Sequence, residues 1–109
     1  MRIWDLKPAR LCRQHLLGEH RELHALWVIL TQGKKGFARH PETRRWRGKL
    51  QALYRRHEAL VVEMGRRGYR HQTPLPEAQA VGLAQQEEYK DTPAEQAEIL
   101  RRKGCGCRV

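Results

Sequence analysis

The densest run of chemically capable side chains is Gln14-His15-Leu16-Leu17-Gly18-Glu19-His20-Arg21-Glu22-Leu23-His24. Read as a helix, it sets His15, Glu19 and Glu22 at i, i+4 and i+7, on one face and away from a Leu16/Leu23/Trp27 stripe. An imidazole and carboxylates on one face suit acid–base chemistry or the orientation of a phosphate. The same spacing also describes a plain solvated helix surface. His20 and His24 have the i, i+4 spacing of a metal chelate, but the order is not His-Glu-x-x-His. Three cysteines are present, Cys12 and the pair Cys105 and Cys107. An odd count argues against a disulfide framework, and two thiols at a chain end are half a zinc site. The sequence shows no phosphate-binding glycine loop, serine elbow or four-cysteine set, so no metal ligands and no cofactor are assigned.

The elements that must position this run are helical. Pro8 suits a helix start, and from there to about Thr31 a stripe of Leu16, His20, Leu23, Trp27 and Leu30 recurs at helical spacing. A second helix is expected from about Arg47 to Arg67. Its stripe is Leu50, Leu53, Tyr54, His57, Leu60, Val61 and Met64, and Gly68 follows its end. His57 on that stripe reads as a satisfied core histidine. Between the helices, residues 33–46 read as a basic loop that carries Lys34, Lys35, Arg44 and Arg45 with Phe37 and Trp46. Cations interleaved with aromatics suit a surface that tracks a phosphate backbone and stacks bases; the alternative for Trp46 is a lid on the core. Residues 69–91 are irregular apart from a short helical stretch near 77–88. Thr92-Pro93-Ala94-Glu95 is a capping box that opens a short helix to about Lys103. The expected fold is all-α: one small domain over 1–104, with two long helices, one short helix, an extended N-terminal segment and a basic loop. Residues 105–109 are expected as a flexible tail.

Composition narrows the partner. The chain has 109 residues and a formal net charge of +10, with net +11 over residues 1–71 and net −1 over the rest. A block this basic is the electrostatic footprint of a polyanion, most often nucleic acid. No apolar run approaches the ~20 residues needed to span a bilayer, and the first residues lack the apolar core of a signal peptide. The expectation from composition is a cytoplasmic monomer that binds nucleic acid and no membrane; that the nucleic acid is double-stranded damaged DNA is what the family resemblance described next implies.

The stretch Gln14-His15-Leu16, then Glu19, then Arg21-Glu22-Leu23, resembles the pyrimidine-dimer DNA glycosylase/AP lyase family. Arg2-Ile3 fits at the family's distance, and Lys49-Leu50 and Arg66-Arg67-Gly68 are similar too, so the resemblance covers roughly residues 1–71. It implies a nucleophile at Met1, through the α-amine of the first residue, and an essential carboxylate at Glu22. It further implies DNA contacts at Arg2, Gln14, His15 and Arg21, to which the basic loop adds Lys34, Lys35, Arg44, Arg45 and Trp46. Arg2 is too large a second residue for methionine aminopeptidase, so Met1 is expected to stay. An α-amino group, with an ordinary pKa of about 7.7–8, is partly neutral at pH 7 where a lysine is not. Ala25 stands where the family has a further Arg, and its aromatic-rich C-terminal end is absent here. Two other readings fit the residues: an AP lyase or a glycosylase for another lesion, and a non-catalytic basic nucleic-acid-binding module.

Overall fold

A computed structural model of the protein describes every residue except Lys34, Phe37, Ala38 and Gln72. Among the described residues four α-helices follow in order: α1 (Arg13–Gln32), α2 (Pro41–Trp46), α3 (Leu50–Arg66) and α4 (Pro93–Lys103). Single 3-10 turns occur at Pro8–Arg10 and Glu77–Gln79, and no strand occurs among the described residues. The fold is all-α, as the periodicity predicts. Leu16, Leu23, Leu26 and Trp27 of α1 are buried with Leu53, Leu60 and Met64 of α3, and these two helices form the centre of the core. Leu100 and Ala97 bring α4 onto the same core.

Three elements differ from expectation. The first helix starts at Arg13 rather than Pro8, because Leu11 and Cys12 are extended and Leu11 is buried at the break. It ends at Gly33, whose φ of +63° is the left-handed stop that glycine supplies. The expected basic loop contains α2. Pro41 opens that helix, and the His40 ring nitrogen Nδ1 accepts the Glu42 amide at 3.1 Å. The expected helical stretch near 77–88 is a single 3-10 turn followed by extended chain. In contrast, the Thr92–Glu95 capping box forms with both of its hydrogen bonds.

The extended chain after that turn makes a joint with the start of α3. The amides of Gln51 and Ala52, which have no acceptor inside their helix, donate to the Val81 and Leu83 carbonyls at 2.9 and 3.0 Å. The Leu83 amide donates back to the Gly48 carbonyl at 2.9 Å. The backbones come so close that a Cβ on Gly82 would collide with the Gly48 carbonyl.

Candidate active site

Residues 2–6 run extended over the helices without a strand beside them, so their amides need other acceptors. Three consecutive amides find them in side chains from three helices. Ile3 donates to Glu42 of α2 at 3.2 Å, Trp4 to Glu19 of α1 at 3.1 Å, and Asp5 to Gln96 of α4 at 2.7 Å. Each acceptor is itself held. Arg56 of α3 donates to both oxygens of Glu19, at 2.6 and 2.9 Å, and to the Leu6 carbonyl at 2.6 Å. Arg45 of α2 donates to Glu42, to the Ile3 carbonyl at 2.9 Å and to the Glu88 carbonyl at 3.0 Å, and pairs with Asp5 at 2.9 Å. Gln96 returns a bond from its amide nitrogen to Asp5 at 2.8 Å. Ile3 is fully buried and Trp4 nearly so. Burial pushes the Glu19 carboxyl above its ordinary range, and the Arg56 guanidinium and the Trp4 amide oppose that shift.

This clamp delivers the N-terminus to a recess of about 240 Å³ lined by Met1, Arg2, Trp4, Gln14, His15, Gly18, Glu19, Glu22 and Lys103. Five of the residues expected in the site, Met1, Arg2, Gln14, His15 and Glu22, therefore share one pocket. Arg2 stacks over the Trp4 ring at 4.8 Å and pairs with Asp91 at 2.9 Å, and both partners of that pair remain partly exposed. Gln14, Arg21 and Glu22 are exposed on α1. Lys103, which no sequence motif singles out, adds an amine from the end of α4.

Other expected positions lie elsewhere. Glu19 is not on a solvated face; it is 2% exposed and belongs to the clamp. Arg45 and Trp46, expected on a DNA-contacting loop, are 6% and 2% exposed. The Trp46 indole donates to Glu42 at 3.1 Å, so Trp46 is the core lid of the alternative reading and Arg45 is occupied by internal partners. Lys35 and Arg44 are exposed and do not line the recess. Lys34 and Phe37 lie outside the described residues.

Two side-chain clusters join residues of α1 to partners that sequence spacing does not bring together. His20 and His24 of α1 meet His57 of α3 and His71. Burial, and then the three neighbouring rings, push His20 down to about 4. At the other end of α1, Cys12 and His15 meet Cys105 and Cys107, and Cys105, Cys107 and Val109 pack against the core. His15 is held below the usual histidine range by burial and by Lys103.

The fold and the recess define a small, basic, all-helical domain that presents a clamped N-terminus beside a carboxylate. The chain belongs to the pyrimidine dimer DNA glycosylase family, whose model matches residues 1–77. At the level of that family its activity is that of a DNA glycosylase and its binding partner is damaged DNA. No curated protein and no solved structure gives a significant match. Among the described residues no helix is long and apolar enough to cross a membrane.

Proposed function

We propose that the chain is a DNA glycosylase with AP lyase activity, acting at pyrimidine dimers, in which the Met1 α-amine is the nucleophile and Glu22 moves protons. The observation that carries this reading is that Met1 and Glu22, twenty-one residues apart in sequence, line one recess together with Arg2, Gln14 and His15. The neutral amine adds to the sugar C1′, and the C1′–N bond breaks with its electron pair on the departing base, which takes up a proton. Glu22 accepts the amine proton and passes it to the ring oxygen as the sugar opens, leaving an imine at C1′. Loss of a C2′ proton and departure of the 3′ phosphate then cut the strand, and water releases the amine. Arg2 and Gln14, which line the recess, and Arg21, exposed on the same helix as Gln14, hold phosphates, while Lys35 and Arg44 extend the basic surface beyond it.

The sugar carbon lies inside a duplex, so the DNA must kink or extrude a nucleotide, which costs least where pairing or stacking is already damaged. A dimer and an abasic site both satisfy this. The test is borohydride reduction in the presence of an abasic duplex and of a dimer-containing duplex. A covalent protein–DNA adduct with both is expected. Adduct with the abasic duplex alone supports the lyase that acts on abasic sites and no dimer activity. Binding without any adduct overturns the imine mechanism.

A further inference from the structure

Cys12 and His15 sit at the first turn of α1, and Cys105 and Cys107 come from the chain that follows α4. Their four donor atoms lie within 4.8 Å of one another. Cys12 Sγ and Cys107 Sγ are 3.1 and 3.5 Å from His15 Nδ1, and Cys105 Sγ is 3.5 Å from Cys107 Sγ. A tetrahedral zinc, bonded at about 2.3 Å to sulfur and about 2.0–2.1 Å to nitrogen, requires S···S edges of about 3.8 Å and S···N edges of about 3.5 Å. The Cys107 Sγ–His15 Nδ1 edge has this length, and the Cys105 Sγ–Cys107 Sγ and Cys12 Sγ–His15 Nδ1 edges are a few tenths of an ångström shorter. Gly106, with φ +96°, folds the Cys-Gly-Cys segment so that both of its sulfurs face the same point. The Cys12 amide donates to Cys107 Sγ at 3.0 Å, the kind of outer contact that steadies a metal-bound thiolate. All three cysteines are free of disulfides. We propose that Cys12, His15, Cys105 and Cys107 bind a zinc ion that fastens the C-terminal end of the chain to the start of α1. Since His15 also lines the recess and meets the Trp4 ring edge-on at 5.6 Å, the ion fixes one wall of that recess.

The test uses untagged full-length protein kept reduced. Titration with Co²⁺ is expected to produce near-ultraviolet thiolate-to-cobalt charge-transfer bands that Zn²⁺ displaces. Zinc is expected to slow alkylation of all three thiols at least tenfold, a readout that needs no variant. Cobalt binding without those bands, or equal alkylation with and without zinc, overturns the site.

A second site rests on different atoms. His24 Nε2 lies 3.2 Å from His20 Nε2 and 3.1 Å from His57 Nε2. The His57 ring nitrogen Nδ1 faces the Glu58 carboxylate at 3.0 Å and must donate to it, which leaves a lone pair on Nε2 of neutral His57. His24 Nε2 carries at most one proton and cannot satisfy both neighbours by donation. The fourth ring, His71, has its Nε2 buried without a hydrogen-bond partner among the described residues. One cation at the centre resolves all four, because a tetrahedral ion with nitrogen ligands sets N···N edges of about 3.3 Å. The Glu58–His57 contact is the carboxylate–imidazole support that metal-bound histidines use. The geometry points to a second site, for a first-row divalent transition ion held by His20, His24, His57 and His71. Imidazole sets of this kind take zinc, copper, nickel or iron.

The double variant Cys105→Ser/Cys107→Ser removes two of the three thiolates, which leaves Cys12 and His15 as half of the first site, and keeps all four histidines of the second. It is expected to retain one equivalent of Co²⁺ with visible d–d bands and no thiolate charge transfer, against two equivalents in the unaltered protein. In that background Glu58→Gln, at an exposed position, weakens the retained ion by about tenfold, and His71→Gln releases it. An unaltered protein that holds only one equivalent, with thiolate bands, overturns the four-histidine site. So does a double variant with native circular dichroism that holds no Co²⁺ or Zn²⁺.

Discussion

At the N-terminal end of the chain, three consecutive amides are each caught by a side chain from a different helix, and every one of those side chains has a second partner inside the protein. At the C-terminal end, residues 105–109 are tied by two bonds to Arg10, its carbonyl accepting the Arg108 amide at 2.7 Å and its guanidinium donating to the Arg108 carbonyl at 2.9 Å. The Cys105 and Cys107 thiols there face Cys12 and the His15 imidazole of α1. Both ends reach the same recess, through Met1 and Lys103. Buried hydrogen-bonded charges need nothing from outside to hold an extended segment, whereas thiols are weak hydrogen-bond donors that become strong ties only as metal ligands. One end is positioned by buried charges alone; the other, packed on the core through Cys105, Cys107 and Val109, gains a further tie at the proposed zinc site.

The sharpest way to separate the two ends is to block the amine. Acetylation of Met1, or an uncleaved tag on it, is expected to abolish borohydride trapping while DNA binding persists in a gel-shift assay. Lys103→Ala is expected to leave trapping intact. The reverse pair of results would transfer the nucleophile from one end of the chain to the other.

Breaking the N-terminal clamp comes next in size. Arg45→Met leaves Glu42 and Asp5 without their buried cation, and removing one partner of a buried ion pair costs about 3–5 kcal/mol. Urea denaturation should show that loss as a lower midpoint with an unchanged slope. Glu22→Gln acts on the chemistry rather than the frame. It is expected to reduce glycosylase turnover by about 10²-fold or more, the scale of a positioned acid–base group, with binding held or tightened. A near-wild-type rate would reduce Glu22 to a surface residue. The smallest effect is electrostatic. Arg21→Ala is expected to flatten the dependence of log K on log[salt] by about one unit, as for a lost phosphate contact. Arg45→Met, by contrast, should leave that slope unchanged, since its guanidinium faces inward.

Much of this is legible in the residues. The apolar stripes of α1 and α3 announce the two helices that form the centre of the core. The Thr92–Glu95 box announces α4, and the resemblance places Met1 and Glu22 together. The clamp is not legible. Glu19, Glu42 and Arg45 are charged, and charged side chains read as surface when only local spacing is available. Their partners are far away in sequence: Arg56 lies 37 residues from Glu19, and Glu42 lies 39 from Ile3. The histidine cluster leaves a fainter trace. His20 falls on the apolar stripe of α1 and His57 on that of α3, and stripes that face one core bring such polar intruders together. Taken singly, each reads as a chelate half or a satisfied core residue, because pairing them requires the packing of the helices. The cysteines escape for the same reason, with Cys12 and Cys105 standing 93 positions apart.

The joint at Gly48 and Gly82 bears on what can be cut out of this chain and still fold. The stretch that matches the family ends at residue 77, yet the carbonyls that complete the first turn of α3 belong to Val81 and Leu83. The same stretch lacks Gln96 for Asp5, Asp91 for Arg2 and Leu100 for the core. Residues 1–77 thus carry the family signature without the groups that complete the start of α3, the clamp and the core. A chimera that transplants the recess onto another relative has to carry residues 81–103 with it. Within that length Gly82 is the position least open to exchange, because any side chain there would push the two backbones apart.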